Sequence, residues 1–136
     1  MERIGIFCSA ADDIEAVYFE KARELGAWMG QNKKTLVYGG ANIGLMECVA
    51  QSAKEHGAFI MGVVPTKLEE RGAVSDLLDV TFRVDNLSER KDAMLRESDI
   101  FIEIALLFQK LLQSLTNFTQ LAKYRALTDM QHSGNI

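Results

Sequence analysis

The segment that decides the fold is TLVYGGANIGLMECVA, which runs from Thr35 to Ala50. A short apolar stretch of strand type is followed by two glycines, and a helical pattern begins near Gly44. Glycines at this place have two explanations. A tight turn favours residues without a Cβ atom. Alternatively, a phosphate approaches the bare backbone and meets the N–H groups and positive dipole end of the helix. We favour the phosphate or ribose contact, because the glycines stand between a strand and a helix.

Composition and charge restrict the class of protein. The chain has 136 residues, of which 48% are hydrophobic and 25% charged, which is typical of one globular domain with a substantial core. A net charge of −4 argues against general binding to nucleic acid or to anionic membranes, and no apolar run has transmembrane length. Cys8 and Cys48 show neither CxxC nor metal-ligand spacing, so we expect reduced thiols in a cytoplasmic protein, with no metal and no cofactor.

Apolar periodicity predicts alternating strands and helices. Strands are expected at 3–9, 35–38, 59–64, 79–84 and 99–104, and helices at 14–31, 43–56 and 87–97. A charged loop or short helix is expected after Pro65. This alternation implies right-handed crossovers and a mostly parallel sheet covered on both faces. The sequence therefore predicts a single α/β domain over residues 1–136.

The C-terminal ends of the strands are the places to look for a ligand, since parallel sheets bind ligands there at the topological switch point. This rule selects five places: Ser9, Gly39 to Gly44, the residues from Pro65, Asp85 to Arg90, and whatever follows Ile102. No GxGxxG follows the first strand, and GxxxxGK[ST] does not occur. The sequence thus disfavours a standard NAD site and excludes a P-loop.

Several segments together resemble the LOG proteins, the cytokinin-activating phosphoribohydrolases that are also called lysine decarboxylase-like. VYGGANIGLM is similar to their signature GGGxxGLM, IGIFCSA to their first strand, GVVP to their third, and SERKDAMLRESDIFI to the helix and strand with their Arg-Lys pair. The resemblance covers residues 3–102. It implies a Rossmann-like fold, a homodimer, and hydrolysis of the N-glycosidic bond of nucleoside 5′-monophosphates, often N6-modified AMP, to free base and ribose 5-phosphate.

The resemblance also suggests roles for individual residues. It implies that Arg90 is the catalytic arginine and that Lys91 beside it binds substrate; without the resemblance, SERKD is a common solvated helix face. The candidate positions for binding substrate or phosphate are Ser9, Gly39, Gly40, Gly44, Met46 and Lys91. Met46 has core packing as its alternative.

The sequence departs from the family pattern at three places. Ala41 replaces the third glycine of the signature, and Glu47 replaces the glycine that follows GLM. After Ile102 the family continues with PGGxGTxxE, whereas this chain reads EIALLFQKLLQSLTNFTQ, and no glycine occurs between Gly72 and Gly134. Residues 103–136 therefore form an atypical C-terminal part, predicted to be helical.

The missing loop removes the family's catalytic glutamate. Cleavage of an N-glycosidic bond builds positive charge on the sugar, which a nearby carboxylate stabilises. Glu103, at the end of the fifth strand, is the candidate surrogate, and on the alternating strand it shares a face with Phe101. Its alternative is an exposed strand-end glutamate. A second alternative is an ion pair with a lysine. At the rim of the sheet Glu103 would face the crevice lined by Arg90 and Gly40, and it would pair with Arg90 only if the two lie within reach.

Ile104 to Leu115 is apolar almost all round a helix, which predicts burial, either against a second copy of the chain or against the sheet of a monomer. Three classes of function stay open: a nucleotide hydrolase with impaired turnover, a nucleotide-binding module without turnover, and a variant that only folds. Whether the chain is an enzyme is thus undecided at this point.

Overall fold

The structure is a computed structural model, and it describes residues 2–8 and 16–104. Strands and helices alternate, in chain order β1 (Arg3–Phe7), α1 (Ala16–Gln31), β2 (Thr35–Tyr38), α2 (Gly44–Glu55), β3 (Phe59–Pro65), α3 (Thr66–Glu70), β4 (Val80–Val84), α4 (Leu87–Glu97) and β5 (Ile100–Glu103). No helix of the described residues is long and apolar enough to cross a bilayer.

The five strands form one parallel sheet in the order β4-β3-β2-β1-β5. From β1 the chain adds strands outward to β4, and α4 then carries it back across the sheet to β5, on the other side of β1. The direction of strand addition therefore reverses between β1 and β5. This pair of strands is the topological switch point.

Two helices cover one face of the sheet. Ile4, Leu36 and Ile60 of the strands pack there with Leu25 of α1 and Val49 of α2, and all five are buried. The helices approach closely because Gly26 lacks a side chain: a Cβ atom there would lie 2.6 Å from the carbonyl oxygen of Val49. This face, which we call the α1/α2 face, carries the larger core.

Among the residues that the structure describes, one helix covers the opposite face, which we call the α4 face. Val37, Met61 and Val63 of the sheet pack there with Ala93 and Met94 of α4. Helices thus lie on both sides of an all-parallel sheet. The predictions of an α/β class and a three-layer, Rossmann-like arrangement are confirmed.

The predicted element boundaries differ slightly from the observed ones. β3 extends one residue further than predicted and ends at Pro65, which has no backbone N–H. The charged segment after it forms the short helix α3. β2 and α4 match their predicted bounds. The predicted start of the first helix, the residue Ser9, the apolar helix beyond Ile104 and most of the C-terminal part lie outside the described residues.

Candidate functional site

A cleft of about 700 Å³ opens at the C-terminal ends of β1 and β5, where the strand order reverses. Its lining includes five of the residues predicted from the sequence, namely Gly39, Met46, Arg90, Lys91 and Glu103. Apolar side chains supply most of the remaining wall, among them Leu87 and Leu95 of α4 and the stacked rings of Phe7 and Phe101. The two ring centroids are 5.3 Å apart, with an interplanar angle of 20°.

The first turn of α4 fixes the helix that carries Arg90. Asn86 is the N-cap, and its side-chain oxygen accepts a hydrogen bond from the Glu89 N–H at 2.9 Å. The Glu89 carboxylate in turn accepts from the Asp85 N–H at 2.9 Å. These bonds satisfy N–H groups that the helix itself leaves open. The backbone of Arg90 is therefore anchored one turn into the helix, where its N–H donates to the Asn86 carbonyl at 3.1 Å.

Arg90 reaches the sheet and donates to two backbone carbonyls. Its Nη2 lies 2.5 Å from the carbonyl oxygen of Gly39, and its Nε lies 3.3 Å from that of Val63. Burial of the guanidinium lowers the pKa of Arg90, and the nearby Cys8 opposes that shift. Within the described residues, Arg90 forms no ion pair with a carboxylate. Two backbone carbonyls among the described residues thus offset its partly buried charge.

The glycine turn between β2 and α2 is held in a conformation that few residues adopt. Gly40 and Gly44 have φ values of 74° and 62°. A Cβ atom on Gly40 would also lie 2.7 Å from Cγ2 of Val64. Glycine at position 40 is therefore required by the turn itself, whether or not an anion binds there.

The segment after α3, residues 73–75, forms backbone hydrogen bonds with the glycine turn. Ala41 pairs with Val74 in an antiparallel bridge. The Ser75 N–H donates to the Gly40 carbonyl at 2.8 Å, and the Asn42 N–H donates to the Ala73 carbonyl at 3.0 Å. An anion at the amides of Gly39 to Gly44 would therefore not use the Asn42 N–H, and this contact stays a prediction.

The beginning of α2 offers the remaining donors. Ile43 is the N-cap residue, and it makes no side-chain capping bond. The first N–H groups of a helix have no partner within the helix, and no acceptor among the described residues takes those of Gly44, Leu45 and Met46. Met46 of this first turn forms part of the cleft wall, whereas Gly44 lines a second cavity, of about 680 Å³, formed mainly by residues of α1 and α2.

Comparison with known proteins identifies the family. The model of the SLOG cluster4 family matches residues 1–108. The chain belongs to this family. Curated relatives include a probable cytokinin riboside 5′-monophosphate phosphoribohydrolase from Oryza sativa subsp. japonica, 33% identical over 102 residues. Another, the cytokinin riboside 5′-monophosphate phosphoribohydrolase LOG5 of Arabidopsis thaliana, is 31% identical over 103 residues. These matches cover 75% and 76% of the chain and 45% of either relative, so the chain spans less than half their length.

Solved structures support the fold of this SLOG cluster4 protein. The molybdenum cofactor carrier protein of Chlamydomonas reinhardtii matches with a TM-score of 0.65 and 24% identity, over 76% of this chain and 61% of that one. The molybdenum cofactor binding protein of Rippkaea orientalis matches with a TM-score of 0.65 and 23% identity, over the same shares. At this identity the likeness establishes the arrangement of strands and helices alone. The resemblance to the LOG proteins inferred from the sequence is confirmed by the family match.

Glu47 replaces a glycine of the LOG signature. Its side chain forms a hydrogen bond that the sequence did not indicate. In this SLOG cluster4 chain its carboxylate accepts a hydrogen bond from the hydroxyl of the buried Ser75 at 2.8 Å. Burial raises the pKa of Glu47, while the bond from Ser75 opposes the shift and the charge of Asp76 adds to it. Ser75 follows a charged segment without periodicity, so no sequence signal pointed to it.

Cys8 lines the cleft, although the sequence analysis did not select it as a site residue. It directly precedes Ser9, which was selected and lies outside the described residues. Burial raises the pKa of the Cys8 thiol to about 12, and the positive charge of Arg90 works in the opposite direction. The thiol is therefore neutral at physiological pH and a poor nucleophile.

Glu103 occupies the strand face that was predicted for it. Glu103 and Phe101 point to the α4 side of β5, whereas Ile102 and Ile104 belong to the core of the other face. Both Arg90 and Glu103 line the cleft, but the ion pairs of the described residues do not join them. The expected pairing of Glu103 with Arg90 is not formed, because the guanidinium is directed to the Gly39 and Val63 carbonyls.

Proposed function

We propose that the cleft binds a nucleoside 5′-monophosphate and that the protein hydrolyses its N-glycosidic bond slowly. The observation that carries the proposal is the fixed guanidinium of Arg90, partly buried in the cleft at the switch point without a carboxylate partner among the described residues. A buried charge of this kind is costly unless something of opposite sign binds to it. The names of the curated relatives point to the substrate class.

Arg90 and Lys91 supply the charge that such a ligand requires. A guanidinium binds phosphate oxygens through two parallel N–H groups, and an ammonium acts as a compact point charge. The open N–H groups at the start of α2 and its dipole add to the attraction for an anion. The apolar wall formed by Phe101 and Leu95 is suited to a planar base, since flat rings pack well on apolar surfaces.

Glu103 is the carboxylate that we propose for the chemical step. It would stabilise the positive charge that develops on the sugar and orient the attacking water. The exposed carboxylate at the strand end lacks the surrounding loop that holds the glutamate of the LOG signature. Loss of one preorganised electrostatic group costs about 10²–10³ in rate. We therefore propose turnover far below that of an intact relative.

Incubation with AMP and with an N6-substituted AMP, followed by detection of free base and calorimetry, separates the three classes of function. Release of base that is much reduced in Glu103→Gln supports the proposed hydrolase. Equal and robust release from both chains would show that another carboxylate acts. Neither binding nor release would leave only a folded domain.

A nucleotide-binding module without turnover is the second candidate. The observation in its favour is the lack of an ion pair between Arg90 and Glu103, which leaves no carboxylate fixed by the arginine. Binding of AMP by calorimetry, together with no detectable base after prolonged incubation, would establish this alternative. We propose AMP-like nucleotides as ligands in both cases, with no role for nucleic acid or membranes and with a cytoplasmic location.

We also propose a homodimer. Leu87 and Leu95 lie on α4 with 68% and 45% of their surfaces exposed, and they stand two helical turns apart beside the cleft. Large apolar side chains grouped in this way are typical of surfaces that meet a partner. Light scattering at micromolar concentration should give twice the mass of the chain, and a monomeric mass would refute the dimer.

A further inference from the structure

Position 39 requires glycine for a different reason than positions 40 and 44 do. Gly40 and Gly44 have positive φ values, and Gly39 does not. The backbone at position 39 would thus accept any residue. The space next to it would not: a Cβ atom there would overlap Nη2 of Arg90 and lie 2.5 Å from Cζ and 3.0 Å from Nε.

We infer that Gly39 is a positioning residue for Arg90 and that its role is to admit the guanidinium rather than a phosphate. The guanidinium lies against the α-carbon of Gly39 and donates from Nη2 to the carbonyl of that same residue. Any side chain at position 39 displaces this group. The inference concerns the geometry of Arg90, and its consequence for a nucleotide rests on the function proposed above.

The two carbonyls determine which edge of the guanidinium remains for a ligand. A guanidinium has five N–H donors. The edge formed by Nε and Nη2 is directed to the carbonyls of Val63 and Gly39. Three N–H donors therefore remain, two on Nη1 and one on Nη2. Arg90 therefore presents its Nη1–Nη2 edge, which fits two oxygens of a phosphate or carboxylate side by side.

This arrangement makes the cation rigid before a ligand arrives. Two acceptors on neighbouring strands hold the planar group, so its orientation does not need to be fixed on binding. Positions 39 and 90 are 51 residues apart in the chain and act as one unit. Their effects on ligand binding should consequently not be additive, as is general for residues in direct contact.

A double-mutant cycle tests the inference with Gly39→Ala, Arg90→Ala and the double variant. We expect Gly39→Ala to lower the melting temperature and to weaken AMP binding about tenfold or more, close to the effect of Arg90→Ala. In the Arg90→Ala background, the added methyl group should change neither the melting temperature nor the AMP affinity. Gly72→Ala is a control variant. Gly72 lies in open space away from the cleft and has a positive φ, so this variant measures the effect of backbone strain without any contact to Arg90.

The two readings of this cycle are independent. If Gly39→Ala lowers stability equally with and without the Arg90 side chain, or weakens AMP binding further when that side chain is absent, Gly39 acts by itself and the inference is overturned. Should Gly39→Ala fail to fold, a folded double variant supports the inference and an unfolded one refutes it. If the wild-type protein does not bind AMP, the proposed function fails, whereas the melting temperatures still decide the role of Gly39.

Discussion

The α1/α2 face and the α4 face of the sheet differ in how completely they are covered. On the first, two helices approach closely enough to require Gly26, and the side chains between them and the sheet are buried. On the second, α4 buries Ala93 and Met94 and leaves Leu87 and Leu95 exposed beside the cleft. In the described part of the chain, the α1/α2 face therefore holds the larger buried core, and the α4 face carries the cleft at the switch point.

Truncation of one leucine on each face should give the largest difference in the free energy of unfolding. Leu25→Ala removes a fully buried side chain from the α1/α2 face and should lower the free energy of unfolding by about 2–5 kcal/mol. Leu95→Ala, on the half-exposed side of α4, should cost less than about 1 kcal/mol. Denaturant unfolding measures both. Equal losses would mean that the α4 face contributes as much to stability as the other.

Replacement of Arg90 by lysine should affect binding more than stability. Lysine keeps the positive charge but cannot donate to two carbonyls and to an anion at once. Arg90→Lys should therefore weaken AMP binding about tenfold, or ~1.4 kcal/mol by calorimetry. The matched control is Arg96→Lys, because Arg96 is an exposed arginine on the same helix that does not line the cleft, and this change should leave the affinity unaltered. An equal loss in the control would show that Arg90 has no special part in binding.

Removal of the Ser75 hydroxyl tests the hydrogen bond that joins Glu47 of α2 to the segment after α3. Ser75→Ala leaves the Glu47 carboxylate without its donor and should lower the free energy of unfolding by about 1–2 kcal/mol. Glu47→Gln keeps an oxygen acceptor for Ser75 and should cost less. Thermal unfolding of both variants at neutral pH decides the matter, and a greater loss in Glu47→Gln would contradict the proposed origin of the effect.

The smallest expected effect is the loss of stability over the single pH unit between pH 9 and pH 10. Burial raises the pKa of Cys8 from 9.0 to about 12, so the folded protein retains a proton that the unfolded chain releases above pH 9. Deprotonation thus favours the unfolded state, and stability falls with rising pH through this window, by at most about 1.4 kcal/mol per pH unit.

Cys8→Ala isolates this contribution. The decline in unfolding free energy between pH 9 and pH 10 should be shallower in Cys8→Ala than in the wild-type chain. Burial also raises the pKa of Tyr38, which adds to the decline in both proteins. Identical slopes would show that the Cys8 thiol does not titrate differently in the folded and unfolded states.

The sequence predicted the layers of the fold well, and the reason is local. Strands that are buried on both faces appear as apolar runs, as TLVY and FIMGVV do, and the helix between Leu87 and Glu97 begins at a recognisable cap. Arg90, Lys91 and Gly39, which the sequence singled out, all line one cleft, and the roles suggested for them stay predictions. The roles of Ser9 and of the C-terminal part remain predictions.

The sequence did not predict the contacts that define the cleft. The acceptors of Arg90 are backbone carbonyls, and every residue has one, so no sequence pattern identifies which of them a guanidinium reaches. The pairing of Glu47 with Ser75 joins two segments 28 residues apart in the chain. Such contacts depend on how crossovers place the ends of neighbouring strands, which local periodicity does not encode.

The bridge between Ala41 and Val74 has a consequence for the timescale of motion in the turn. With the bonds of Asn42 and Ser75 on either side, it joins the glycine turn to the segment before β4. If the two segments open only together, the amide hydrogens of Asn42 and Ser75 should exchange with solvent water with the same free energy of opening. A ligand arriving at this turn would find it already ordered and would lose little of its binding free energy in immobilising it.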